Sequence, residues 1–378
     1  MSAPDMFFYG TLRHVPLLEL VLGRPRAEIA LTEVDLPDHA VHWVAEQPFP
    51  MILERPGAVA KGVVLRDPTP EDVARLNFYE GGFCYDLRPL TVHAPDGETL
   101  SAEVYFPYDG VWEPGAPFDL ANWETLWGEI TVETAREVMA RFETQSAGDV
   151  AAILPFIRAR AWGRVMGRQG APCSLRRDPG PGSVEILEEF TGYQGFFRLR
   201  ALALRHRRFD GEWTDPMSRE IFGAFDASLV LPYDPASDRV LLIEQLRFGP
   251  IQRADPMPWV LEPIAGLVDA GEDPAETARR EAQEEARLSL YDLRFMTRAY
   301  ASPGYSSEFF HFYLGLADLE QYEPGIAGLS DEHEDIRSHV LSFDAAMALV
   351  DSGEINAAPL AMMLLWLARH REQLRQSA

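Results

Sequence analysis

The segment from Asp273 to Arg287, DPAETARREAQEEAR, limits what this chain can become more than any other stretch. Asp273 supplies an acceptor cap, Pro274 stands at the first helical position, and Glu276 places an acidic side chain in the first turn, so a helix start is well specified. Glu281, Glu284 and Glu285 then fall at i, i+3 and i+4 and share one face. Like charges at that spacing cost helix stability, and a cation held between them offsets the cost. Hard oxygen donors suit magnesium or manganese. Such an ion bridges phosphate oxygens and lowers the pKa of a bound water. Three glutamates alone would more ordinarily form a solvated acidic face.

The rest of the chain sets the frame for that helix. At 378 residues it exceeds one ordinary core, which implies two domains. With 47% hydrophobic and 25% charged residues, both should be globular. A formal charge of -25 excludes a general nucleic-acid binder, which needs clustered cations against phosphates. A small diffusible substrate fits, provided that local arginines or bound metal reverse the sign at the site. Cys84 and Cys173 lie too far apart in sequence to suggest a disulfide framework or a zinc cluster. The start MSAPDMFFYG lacks a basic region followed by a long apolar one, and the apolar run Leu360 to Ala368 is too short to span a bilayer. A soluble, cytoplasmic protein without membrane partners is expected.

Strand patterns occur at Phe7 to Tyr9, Gly62 to Leu65 and Ala102 to Phe106, with a helical pattern at Pro70 to Tyr79, which reads as a small α+β domain. Helical spacing follows from Thr131 to Arg168, and then the stretch GRQGAPCSLRRDPGPGS reads as a linker. In the second half, Ser228 to Leu231 and Arg239 to Ile243 flank a turn and predict a hairpin, with a strand at Phe309 to Leu314. Helices are expected at Pro274 to Arg287, Phe343 to Asp351 and Pro359 to Gln373. The expected division is residues 1–128, a helical connector and linker over 129–185, and an α/β domain over 186–378.

Around the glutamate helix, Gly266, Glu272, Arg280-Glu281-Ala282 and Glu284-Glu285 stand at the spacing of the Nudix box, and the segment resembles that family. Arg287 departs from it, because the family usually has a helix-ending glycine there. The resemblance extends over most of residues 186–378 and is closest to bacterial ADP-ribose pyrophosphatases, through RHRRFDGEW, SREIF, LPYDPASDRVLLIEQLRFG, SPGYSSE and DEHEDIRSHVLS. It implies an α/β/α sandwich and magnesium- or manganese-dependent hydrolysis of a nucleoside diphosphate derivative. ADP-ribose, giving AMP and ribose 5-phosphate, is the expected substrate, with a sugar nucleotide or a non-catalytic metabolite sensor as alternatives.

The same resemblance implies roles for individual residues. Metal would be held by the Ala265 carbonyl with Glu281, Glu284, Glu285 and Glu334, while Gly266 permits the tight loop and Arg280 pairs with Glu272. Arg247 would contact phosphate, and Arg219 with Glu220 would recognise the nucleotide across a homodimer interface. Ser302 and Gly304 form the turn that marks the subfamily, Glu308 helps to position water, and Glu332 is the general base.

Near the start, Tyr9-Gly10-Thr11-Leu12 and, downstream, Phe78-Tyr79-Glu80-Gly81 with Tyr85 together resemble the gamma-glutamylcyclotransferase-like family. That resemblance covers roughly residues 6 to 120. It implies a small barrel whose Tyr9 to Leu12 loop cradles a gamma-glutamyl ligand and whose Glu80 moves protons. Backbone N–H groups beside Gly10 can hold a carboxylate, and a semi-buried Glu80 with raised pKa can shuttle a proton. Cyclisation to 5-oxoproline, or ligand binding without turnover, would follow.

Overall fold

The computed structural model describes residues 3–177, 180–329 and 334–376. The chain divides into two units, Met1–Gly170 and Ala171–Ala378.

The first unit is built on β1 (Met6–Phe8), β2 (Leu31–Val44), β3 (Pro50–Leu65), β4 (Tyr85–His93), β5 (Thr99–Pro107) and β6 (Pro114–Pro117). Their order is β3-β1-β5-β4-β2-β6, and β2 also pairs with β3, so five strands close into a barrel with β6 appended. Closure leaves the barrel strands no free edge. Alternation along β1 shows how the sequence fills two cores. Phe7 and Tyr9 join Val34, Leu36, Ile52 and Val104 in one cluster, while Met6 and Phe8 join a second with residues of the helices.

Those helices are α1 (Val15–Leu22), α2 (Pro70–Glu80), α3 (Leu120–Trp123), α4 (Glu129–Met139), α5 (Ala147–Ala152) and α6 (Leu154–Gly167). Thr69 and Asp72 form a reciprocal capping box at the start of α2. The helical stretch expected from Thr131 begins earlier, at Leu120, where Asp119 caps the Asn122 N–H at 2.7 Å and a π-helical turn over Glu124–Gly128 carries the chain into α4. Instead of serving as a connector, α4 to α6 contribute Ala135, Val138, Met139, Val150 and Ile157 to the first unit's core. They are also tied by a buried carboxylate, Glu137, which accepts from Arg141 at 3.2 Å and Arg160 at 2.6 Å.

The second unit contains a three-stranded sheet, β7 (Val184–Gln194), β8 (Arg198–His206) and β9 (Met217–Gly223), in that order. Its mixed main sheet runs β14 (Asp292–Tyr300), β15 (Phe309–Leu316), β10 (Asp226–Asp234), β11 (Arg239–Leu246), β17 (Ile336–Ser342) and β16 (Ile326–Ala327). Two short strands attach to it, β12 (Trp259–Glu262) on β11 and β13 (Ile264–Leu267) on β10.

One face of the sheet, through Leu229, Leu231, Val240 and Leu242, packs with α9 (Phe343–Ser352) and α10 (Ala358–Gln376). The other, through Val230, Leu241, Ile243 and Ile264, packs on Ala278, Ala282 and Ala286 of α8 (Pro274–Ala286). Alternate residues of one strand thus serve opposite layers, giving an α/β/α sandwich. A further short helix, α7 (Phe248–Gln252), follows β11. Among the described residues, no helix is long and apolar enough to cross a membrane.

Candidate functional site

In the second unit the site forms where α8 crosses β13. Asp273 caps α8 by accepting from the Ala275 N–H at 2.8 Å. At the far end Arg287 adopts the left-handed conformation, φ 51, that the helix stop requires, although it is not glycine. The face of α8 that meets the sheet carries small alanines, and the carboxylates of Glu281 and Glu285 are drawn in beside them: Glu281 is 9% exposed and Glu285 2%.

The approach of α8 to β13 is close because residue 266 has no side chain. A Cβ at Gly266 would lie 1.8 Å from Oε1 of Glu281. The neighbouring Ala265 N–H donates to Oε2 of Glu285 at 3.0 Å. Arg280 ties the acidic groups together. Its Nη1 donates to Glu281 at 2.6 Å and to Glu284 at 3.0 Å, while its Nε and Nη2 reach Glu272 at 3.2 Å. Glu272 also accepts from the Thr277 hydroxyl at 2.7 Å, which fixes the loop before α8.

Burial dominates the electrostatics. It pushes the Glu281 carboxyl up to about 7, against the attraction of Arg280, and holds Glu285 well above the usual carboxylate range. Glu334 adds repulsion to both. Its own carboxylate accepts from the Leu329 N–H at 3.0 Å. Among the described residues, no three His, Cys, Asp or Glu side chains stand as a ready-made metal cluster. The geometry explains this, since one guanidinium occupies Glu281 and Glu284 while a backbone N–H holds Glu285. The donors are oxygens on buried or half-buried acids around a cradle that a Cβ would fill, and this fits a hard divalent ion.

Arg247 stands at the end of β11 and donates to Glu262 at 2.7 Å. Its charge reaches Glu285 and Glu308. Burial raises the Glu308 carboxyl, and Arg247 opposes that shift. Glu308 belongs to the loop after Ser302, whose carbonyl accepts from the N–H groups of Tyr305 at 3.2 Å and Ser306 at 3.0 Å. No neighbour comes within 4 Å of where a Gly304 side chain would sit. The same loop is joined to β9 by Phe222 and Tyr305. Arg219 and Glu220, earlier on β9, are exposed, and Arg219 donates only to the adjacent Ser218 carbonyl at 2.7 Å among the described hydrogen bonds. Glu332 lies outside the described residues.

In the first unit, Glu80 ends α2 half-buried, and burial pushes its carboxyl up to about 8. The hydroxyls of Tyr9, Tyr79 and Tyr105 are raised by burial and then by Glu80, and Glu80 also raises Tyr85. Tyr9 donates to the Tyr105 carbonyl at 2.9 Å, Tyr105 to Asn77 at 2.8 Å and Tyr85 to the Pro50 carbonyl at 2.9 Å. Pro50 also packs against Gly10, where a Cβ would meet its Cγ at 2.6 Å. Thr11 opens a short 3-10 turn after Gly10 and is half-buried. Leu12 is 4% exposed and packs in the core with Met6, Phe8 and Leu17, so its side chain anchors the Tyr9 to Leu12 loop from within. Tyr79 belongs to the motif read from the sequence, whereas Tyr105 has no signal there and is marked only by its meeting with Glu80 from β5.

The NUDIX domain family matches residues 223–362, and the family "Gamma-glutamyl cyclotransferase, AIG2-like" matches residues 6–125. ADP-ribose pyrophosphatase of Escherichia coli (strain K12) is 40% identical over 196 residues, which are 52% of this chain and 93% of that protein. ADP-ribose pyrophosphatase of Haemophilus influenzae is 38% identical over 51% of this chain and 90% of its own. GDP-mannose pyrophosphatase of Yersinia enterocolitica is 30% identical over 40% of this chain and 78% of its own. With the carboxylate helix, the Gly266 cradle and these relatives in view, the chain belongs to the Nudix hydrolase family through its second unit and carries an AIG2-like gamma-glutamyl cyclotransferase domain in its first.

Proposed function

We propose that the second unit hydrolyses ADP-ribose to AMP and ribose 5-phosphate with magnesium, or manganese in its place. The observation that carries this reading is the 40% identity to ADP-ribose pyrophosphatase across 93% of that enzyme, against 30% to the GDP-mannose enzyme across 78%. In this reading the Ala265 carbonyl, Glu281, Glu284, Glu285 and Glu334 hold the ion, and Arg280 yields two of those carboxylates to it while keeping Glu272. Bound there, the ion supplies charge neutralisation at phosphate oxygens and a water of lowered pKa.

The protein's own groups orient the reaction. Arg247 exchanges Glu262 for a phosphate oxygen, Ser302 and Gly304 supply the substrate-binding turn, and Glu308 helps to position the water. Glu332 accepts the proton of the attacking water as one phosphorus–oxygen bond forms and the bridging bond breaks. Arg219 and Glu220 serve the nucleotide of a second copy. The exposed apolar side chains of β7, Val184, Ile186, Phe190 and Tyr193, support such a homodimer. The free, exposed thiols of Cys84 and Cys173 accord with a reducing cytoplasm. A panel of ADP-ribose, GDP-mannose and other nucleoside diphosphate derivatives, run with magnesium and with Glu285→Gln as control, tests the reading. Consumption of another derivative with ADP-ribose intact would defeat it.

For the first unit we propose that the α-amine of a gamma-glutamyl ligand closes on its side-chain carbonyl while the gamma-amide C–N bond breaks, Glu80 taking the proton from the attacking amine and giving it to the departing one, so that 5-oxoproline and a free amine are released. The loop Tyr9-Gly10-Thr11-Leu12 holds the ligand. The raised Glu80 carboxyl among tyrosine hydroxyls supports it. Release of 5-oxoproline from gamma-glutamyl amines by wild type, and its loss in Glu80→Gln, is the expected result; binding without release would make the unit a ligand-binding domain.

A further inference from the structure

Gln245 is a polar side chain for which the reaction above has no task. It is 8% exposed, and its amide nitrogen has no hydrogen-bond partner among the described residues. The pairing of β11 with β12 sets Gln245 opposite Val260 and Ile243 opposite Glu262. Alternation therefore puts Gln245 on the face shared by Ile243 and Glu262, the face that packs on α8. Arg247 keeps the extended backbone, with φ -123 and ψ 142, so its side chain also falls on that face and bonds Glu262. Gln245 thus stands about 7 Å along the strand from Arg247, on the side where α8 presents Glu281 and Glu285.

Shutting a primary amide from water without a partner is costly, and folded proteins retain few such groups. Methionine would fill the same volume without that cost, so folding does not account for glutamine here. Ligand binding does. A neutral donor adds a hydrogen bond to an anionic oxygen without competing, as a cation would, for the carboxylates that surround the site.

We propose that Gln245 is a substrate-binding residue, its amide nitrogen donating to an oxygen of the substrate's diphosphate group beside Arg247. This rests on the nucleoside diphosphate reading of the second unit. The test compares full-length wild type with Gln245→Met by calorimetric titration of α,β-methylene-ADP in magnesium and by thermal melting without ligand. The expected result is about tenfold weaker binding in the variant with an equal or higher melting temperature. Binding within twofold of wild type overturns the proposal while leaving the diphosphate reading intact. Weaker binding with a lower melting temperature also overturns it, because an amide without a partner has no folded-state bond to lose. If wild type itself does not bind the probe, the diphosphate reading fails and the proposal with it.

Discussion

Replacing Gly266 by alanine separates the geometry of the site from the stability of the fold. The added Cβ would lie 1.8 Å from Oε1, 2.0 Å from Cδ and 2.6 Å from Cγ of Glu281, whereas real Cβ contacts do not fall below 3.0 Å. The carboxylate must therefore retreat by more than about 1 Å, a displacement that can cost about 100-fold in rate at a reacting centre. Gly266 lies in β13 and is not among the residues of positive φ, so alanine meets no backbone penalty and the clash acts alone. Overpacking of this kind costs about 1–3 kcal/mol, which a domain stable by about 5–15 kcal/mol survives. Steady-state hydrolysis of ADP-ribose with magnesium, read beside a melting curve, should show kcat/KM reduced about 100-fold in a folded protein. Activity within about threefold of wild type would mean that the place of Glu281 against β13 does not matter to the chemistry, and the site described above would be wrong.

Other consequences follow from the same physics. Because Glu80 keeps its proton to about pH 8 when folded, the folded state binds more protons than the unfolded one between its ordinary value of 4.5 and 8, and stability falls as pH rises through that window. The unfolding free energy of Glu80→Gln in denaturant titrations should therefore gain on wild type from pH 5 to 8 and level off above, by roughly 1–2 kcal/mol since the carboxyl is only half-buried; a constant gap would contradict this. Arg287→Gly relieves a left-handed non-glycine residue and should stabilise the protein by about 0.5–1 kcal/mol in denaturant titrations, with hydrolysis unchanged. Glu137→Ala removes the buried carboxylate that accepts from Arg141 and Arg160 and should cost about 3–5 kcal/mol by the same titrations, lost from the first unit.

What could be read from sequence was what repeats locally. Helix α8 announced itself through Asp273, Pro274, Glu276 and glutamates spaced three and four apart, and the β10–β11 hairpin through two apolar runs around a polar turn. The β7–β8–β9 sheet did not, because much of β7 is exposed on alternate positions alike and shows no inside–outside rhythm. The long β2–β3 pairing was hidden by Pro37, the bulge between Pro37 and His39, and the acidic residues Glu33, Asp35 and Asp38 that face outward. At the site, spacing was enough to align three glutamates, but not to show that one guanidinium, Arg280, grips Glu272, Glu281 and Glu284 together. Around Glu80, Tyr79 and Tyr85 are its near neighbours in sequence, but Tyr105 comes from β5 and no spacing along the chain links it to them.

The most direct measurement is the fate of ADP-ribose mixed with the purified full chain, magnesium and ordinary buffer, followed by chromatography of the products beside a parallel reaction with GDP-mannose. The account predicts AMP and ribose 5-phosphate in equal amounts, faster turnover of ADP-ribose than of GDP-mannose, and no product with Glu285→Gln or after chelation of the metal. ADP-ribose left intact while GDP-mannose is consumed, or unchanged hydrolysis by Glu285→Gln, would contradict it.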